Sequence, residues 1–330
     1  MRFWWQRVFA EVDADSGNIT AEMIAEVLTT RTRGIIAVHL AGWPCDMDPI
    51  MALAAAHGLM VIEDCAQAHG ARYKGRPVGS IGHVGAWSFC QDKIMTTGGE
   101  GGMVTTSDPA LWARMWAFKD HGKSWDAVYN RNHPPGFRWL HESFGTNWRM
   151  LEMQAVIGRI QLARMADWSA ARTANAAAIA AALAPFAGPH GALRLPAFHC
   201  TGCNGCDAAT GCAHANYKFY AYVRPEALAP DWSRDRIVAE ITARGVPCYQ
   251  GSCSEVYLER AFDGTGWRPA SPLPVARSLG ETSLMFLVHP TLTPQEIEVT
   301  CTVTAEVLNA ASPPRTKPRA LLPSAPSAPR

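Results

Sequence analysis

The sequence predicts an α/β protein: a large domain on a mostly parallel sheet, followed by a smaller C-terminal α/β domain. Three observations carry this. Continuous apolar runs recur at residues 34–40, 59–62 and 84–89, the pattern of strands buried on both faces. Helical spacing separates them, which is the alternation of a sheet covered by helices. The 330-residue chain is 48% hydrophobic and 18% charged, long enough for two domains and too apolar for a disordered chain.

Taken in order, the β-branched run at 34–40 ends in Ala41-Gly42. Residues 48–57 place Ile50, Met51, Leu53 and Ala54 on one helical side, with Gly58 as the stop. The strands at 59–62, 84–89 and 102–106 follow, and Asp108-Pro109 opens a helix by cap and first-turn proline. A long helical stretch is expected from about Met150 through the alanine-rich residues 176–184, ended by Pro185. Beyond it, residues 217–223 read as a strand and 231–244 as a helix stopped by Gly245. Thr293-Pro294-Gln295-Glu296 is a capping box that starts a last helix, ending near Ala311. Residues 312–330, rich in Pro, Ser and Ala, are expected to be a disordered tail. The division that follows is 1–168 for the large domain and 169–311 for the small one, with a Cys-rich insertion at 199–214.

The net charge is +1 and the basic residues are scattered, so there is no nucleic-acid footprint. No apolar run has the length of a membrane span, and the opening residues lack the apolar core of a signal peptide. A cytoplasmic enzyme is expected.

Lys93 stands in Ser88-Phe89-Cys90-Gln91-Asp92-Lys93, ahead of a glycine-rich turn at 98–102, and Glu63-Asp64 close an apolar strand upstream. A lysine between a hydroxyl and such a turn suits a Schiff-base nucleophile. A carboxylate at a strand end suits the partner of a pyridinium nitrogen. Together they point to pyridoxal phosphate (PLP). Ligands of open α/β sheets bind beyond the carboxyl ends of strands, so the two motifs could face one pocket. Singly, each has a plainer account: an exposed strand-end lysine, or an acid capping a helix.

From residue 9 to residue 311 the chain resembles the PLP-dependent nucleotide-sugar aminotransferases of the DegT/DnrJ/StrS family. The resemblance rests on Val38-His39-Leu40-Ala41-Gly42, Ile62-Glu63-Asp64-Cys65-Ala66-Gln67-Ala68-His69-Gly70, Ser88-Phe89 with Lys93 and Gly99-Glu100-Gly101-Gly102, and Gly145-Thr146-Asn147-Trp148-Arg149-Met150. It implies a fold-type-I PLP-dependent transferase. By position, Lys93 would hold the cofactor as an imine and act as acid and base, Asp64 would pair with the ring nitrogen, Gln67 would contact the ring or its phenolic oxygen, and Ser88 would donate to the phosphate. Asn147 would reach the phosphate of a neighbouring subunit, making the active unit a homodimer with shared sites; as a bare residue it also reads as an ordinary turn asparagine. Related dehydratases carry histidine in place of the lysine, so Lys93 favours transamination. The implied reaction moves an amino group, from glutamate as donor, onto a nucleotide-linked keto sugar in glycan or natural-product biosynthesis.

Two features depart from the family. Its N-terminal part, with a Gly-Thr phosphate loop and an aromatic residue that stacks on the cofactor, finds no match here. The rival expectation is therefore a catalytically inactive member that binds or regulates. The second departure is Cys200, Cys203, Cys206 and Cys212, spaced C-x2-C-x2-C-x5-C. These could ligate zinc or an iron–sulfur cluster, but reduced thiols in a flexible insertion are the plainer reading, and no metal is assigned.

Overall fold

In the computed structural model, the described residues are 5–136, 138–203 and 211–313. Helix α1 (Ala21–Val27) precedes strand β1 (Gly34–Val38), α2 (Met47–His57) and β2 (Met60–Asp64). The hairpin β3 (Arg72–Tyr73) and β4 (Arg76–Pro77) follows, then β5 (Val84–Ser88) and β6 (Gly102–Thr105). Four helices come next: α3 (Pro109–Lys119), α4 (Trp125–Tyr129), α5 (Glu152–Ala163) and α6 (Met165–Leu183). The first sheet has the order β1-β2-β5-β6. Its first three strands are parallel and β6 is antiparallel, so the sheet is mostly parallel, with one reversed edge strand.

The second sheet is antiparallel, in the order β7 (Leu193–Arg194), β8 (Phe219–Val223), β10 (Ser283–Phe286) and β9 (Cys248–Tyr249). Helices α7 (Arg234–Ala243), α8 (Pro274–Thr282) and α9 (Pro294–Ala311) complete this part. Its core joins Ile179 and Leu183 of α6 to Ala221, Ile237, Leu284 and Leu308. The proposed boundary at 168/169 falls inside α6, whose C-terminal half belongs to this second core. The capping box of α9 forms as read, Thr293 accepting from the Glu296 backbone and Glu296 from the Thr293 backbone. The proposed tail lies almost wholly outside the described residues.

Two expectations differ in detail. The long helix after Met150 is two helices, divided at Arg164, which is at once the C-cap of the first and the N-cap of the second; no glycine or proline marks the break in sequence. Cover on both faces of the first sheet is also incomplete among the described residues. Ile35, Ala37 and Val61 pack under Ile24 of α1 and Ile50 and Ala54 of α2. On the other face, Ile36 is 59% and Val104 53% exposed. The burial of β1 alternates strictly, as in a sheet packed on one side.

Candidate active site

Alternation along β2 sends Glu63 and Asp64 to opposite faces. Glu63 is fully buried on the helix-covered face. Its carboxylate accepts from the backbone N–H groups of Gly79, Ile81 and Gly82 at 2.6–2.8 Å, and lies 3.1 Å from His39 Nε2. His39 Nδ1 accepts from Cys45 N–H, so Nε2 carries the proton that Glu63 takes. Burial pushes the Glu63 carboxyl up, but His39 and the backbone donors outweigh it, and its pKa ends below the usual carboxylate value. A Cβ on Gly85, beside Glu63 in register, would meet the Gly79 backbone at 2.6 Å. Only glycine lets that loop come close enough to donate.

Asp64 faces the open side. Its Oδ1 accepts from Ala66 N–H at 3.0 Å, and its other oxygen has no partner among the described residues. In register it neighbours Ala86, two residues before Ser88, so Asp64 and the Ser88 hydroxyl share a face of adjoining strands. Ser88 Oγ accepts from Cys90 N–H at 3.3 Å.

Lys93 lies on the loop that leaves β5 and returns as β6. The loop is closed by Phe89 N–H to Gly101 O at 2.8 Å and Thr97 N–H to Phe89 O at 3.2 Å. Helix α5 braces it: Gln161 Oε1 accepts from Thr96 N–H, and Gln154 Nε2 donates to Glu100 O. The Lys93 side chain is 17% exposed, with Nζ 3.8 Å from Asp92 Oδ1 and 5.2 Å from the centre of the Tyr217 ring. Tyr217 donates to Asp92 Oδ2 at 2.6 Å. That bond, more than the neighbouring Lys93 charge, holds the Asp92 carboxyl below the usual range. Burial, with Asp92 as acceptor, pushes the Tyr217 phenol up.

Gln67 Oε1 accepts from Ala41 N–H at 2.7 Å, which fixes the amide orientation and leaves its NH2 group to donate. His69 is buried beside Trp87 and Phe89, and neither ring nitrogen has a hydrogen-bond partner among the described residues. Burial pushes its pKa down to about 4, with Lys93 and Arg172 pressing the same way and the Ser88 backbone against it.

Asn147 has partners of its own. It forms a β-bridge with Asp120 and its Oδ1 accepts from Arg149 Nε at 3.1 Å. Phe144 and Trp148 beside it are exposed. Asp92 and Tyr217 are the pair that the sequence did not single out as a site. Asp92 was visible in the lysine motif, but Tyr217 reads as the start of a strand and lies 125 residues away.

Asp64 and Ser88 thus share a face at the carboxyl ends of two parallel strands, and the Lys93 loop leaves one of those ends. The family model described as the DegT/DnrJ/EryC1/StrS aminotransferase family matches residues 5–304. The chain belongs to this family. Among its relatives, a dTDP-3-amino-3,4,6-trideoxy-alpha-D-glucose transaminase of Streptomyces venezuelae is 33% identical over 290 residues, 88% of this chain and 67% of that protein. A GDP-perosamine synthase of Caulobacter vibrioides is 41% identical over 165 residues, 50% of this chain and 42% of that one. The solved structure of an aminotransferase from Psychrobacter cryohalolentis superposes with a TM-score of 0.88 at 63% identity, over 93% of this chain and 76% of that one. The chain therefore spans from under half to about two thirds of these curated relatives. The sheet order and second antiparallel sheet are those of a fold-type-I α/β protein, and no helix among the described residues is long and apolar enough to cross a membrane.

Proposed function

We propose that this chain is a PLP-dependent aminotransferase that moves an amino group from glutamate onto a nucleotide-linked keto sugar in glycan or natural-product biosynthesis. The observation that carries the reading is the shared open face of Asp64 and Ser88, with the Lys93 loop leaving the same strand end. The relatives' activities point the same way, and the donor set suits the cofactor. Asp64 offers an unpaired carboxylate oxygen to a ring N–H, Lys93 an amine to an aldehyde, Ser88 a hydroxyl to a phosphate, and Gln67 an amide N–H to a phenolic oxygen. His69, buried beside Trp87 and Phe89 with at most the Ser88 backbone near its ring nitrogens, would gain from a polar ligand.

When bound, the cofactor supplies an electron sink for the carbon bearing the amino nitrogen. Asp64 would offer its free carboxylate oxygen to the ring nitrogen. Lys93 Nζ would hold the cofactor and, once released, could serve as the acid and base for the proton transfer that the cofactor's chemistry requires. Asp92, held below the usual carboxylate range by Tyr217, stays beside the Lys93 amine. His69 stays neutral near pH 7 and adds no competing positive charge. The exposed Phe144 and Trp148 around Asn147 suit a partner subunit, with Asn147 reaching the partner's cofactor in a cytoplasmic homodimer.

The test is absorbance and peptide mass after PLP and borohydride, for the wild type beside Lys93→Ala. The expected result is a reduced adduct on the Lys93 peptide that the variant lacks, and loss of the visible band when glutamate is added first. A wild type that behaves like the variant would leave the binding or regulatory reading in its place.

A further inference from the structure

Cys200, Cys203 and Cys212 take no part in the site above. Their sulfurs lie within 4.8 Å of one another, with Cys200 and Cys212 buried and Cys203 half-buried. The Cys200 and Cys212 sulfurs are 3.7 Å apart. A disulfide needs about 2.05 Å. Two thiolates at ~2.3 Å from a tetrahedral zinc ion lie about 3.8 Å apart. The spacing is that of two ligands sharing an ion.

The surrounding backbone is built to the same end. Lys74 N–H donates to Cys212 Sγ at 3.4 Å, the kind of outer contact that tunes a metal-bound thiolate. Cys203 N–H donates to Cys200 O at 3.0 Å, closing the Cys-x2-Cys turn. The segment is stitched to the β3–β4 hairpin by paired bonds between Arg72 and Ala213 and by Gly75 N–H to Gly211 O. A Cβ on Gly211 would stand 2.7 Å from Gly75 N, so this approach requires a glycine. Thr201 donates through both N–H and Oγ1 to Asp46 Oδ2 at 2.7 Å. Such anchoring does not suit a loose insertion with idle thiols.

We infer that Cys200, Cys203 and Cys212 hold a structural zinc ion that ties residues 199–203 to residues 211–214 beside the β3–β4 hairpin. Phe198 and His214, at the two ends of the tied stretch, line one wall of a cavity of about 320 Å³. Phe198 stacks on Trp43 with ring centres 4.2 Å apart, and His214 packs against both. The ion would thus set the shape of that wall and take no part in group transfer. Zinc takes four ligands. Cys206, in the same motif, falls outside the described residues and forms no part of the argument; its variant tells whether it is the fourth. A second buried trio, His39, Glu63 and Cys65, is equally compact. It is no rival, because both His39 nitrogens and the Glu63 carboxylate are already engaged.

The experiment is metal analysis of the full chain, purified without chelator and dialysed against zinc and then metal-free buffer, with circular dichroism to confirm folding. One zinc per chain is expected, lost in Cys203→Ser and Cys212→Ser and kept in Cys253→Ser, whose exposed thiol lies elsewhere. Cobalt(II) exchanged into the wild type should give an intense near-ultraviolet thiolate charge-transfer band, a readout that needs no variant. Loss of zinc in Cys206→Ser would support four cysteine ligands, and retention would support the three named here with a different fourth. A folded wild type that binds neither zinc nor cobalt, and whose Cys200, Cys203 and Cys212 are alkylated at the rate of Cys253, overturns the inference. Iron with sulfide in place of zinc overturns it too.

Discussion

Glu63 and Asp64 are chain neighbours with the same chemistry, yet they live in different worlds. Glu63 has no exposed surface and is saturated by three backbone donors and His39. Asp64 is half-buried and uses one oxygen on a local turn. The first closes the loop between β4 and β5 onto the sheet; the second is left with bonding capacity to spare. A strand's period of two lets one position build the scaffold while the next serves a ligand.

The sharpest way to break this comparison is to remove the scaffold acid. Glu63→Ala would leave three backbone N–H groups and His39 buried without an acceptor, and should cost about 3–5 kcal/mol in urea unfolding. Because its pKa is held below the ordinary value, its contribution is complete above the usual carboxylate range. It fades as pH falls below that range, through the lowered value Glu63 has in the fold. A loss under ~1 kcal/mol would mean that the carboxylate does not organise the loop.

Asp64→Asn should do the opposite. Stability should move by less than ~1 kcal/mol, since the amide oxygen can still accept from Ala66 N–H. On the proposed reading, glutamate turnover should fall by a factor of about 10²–10³, the usual cost of removing a group aimed at developing charge. Stopped-flow absorbance of the glutamate half-reaction checks this, and an unchanged rate would remove Asp64 from the site.

His69 offers a test that needs no cofactor. An unfolded histidine gains its proton near 6.5, while buried His69 does not until about 4. Between those values the unfolded chain binds more protons, so stability falls as pH drops, by at most about 3 kcal/mol for this residue. Above pH 6.5 the effect vanishes. His69→Phe should flatten that limb of the urea midpoint against pH. Parallel curves would mean the ring is charged in the fold.

Much of this was legible in the sequence, and the limits have physical reasons. Apolar runs found the strands because burial selects them, and the lysine motif stood out because it packs several chemical types into a few residues. Glu63-Asp64 read as a single acidic pair, although alternation already implied opposite faces; what it could not supply was which face helices would cover. The break at Arg164 has no local signal, and the two helices it separates pack on different parts, α5 against the Lys93 loop and α6 into the second core. The Tyr217–Asp92 bond is a long-range contact between a strand flank and a loop. No local propensity encodes it.

That bond gives the finest test of how the Lys93 loop is held. Tyr217→Phe keeps the ring that lies near both Lys93 and Lys218 and removes only the hydroxyl. The hydrogen bond is part-buried and its acceptor is charged, but Asp92 is exposed enough for water to replace the lost donor. The cost should be about 1 kcal/mol. Asp92 should then titrate closer to an ordinary aspartate, because its strongest stabilising contact is gone. The yield of the borohydride-reduced Lys93 adduct should be unchanged, since the amine keeps both the ring and the Asp92 charge beside it. Tyr217→Ala also removes the ring packed with Cys65, Ala68 and Ile94, and should cost about 3 kcal/mol or more. If the phenylalanine variant were as damaged as the alanine one, the hydroxyl and not the ring would be what seats the loop, and Asp92 would have to be counted among the groups that position Lys93.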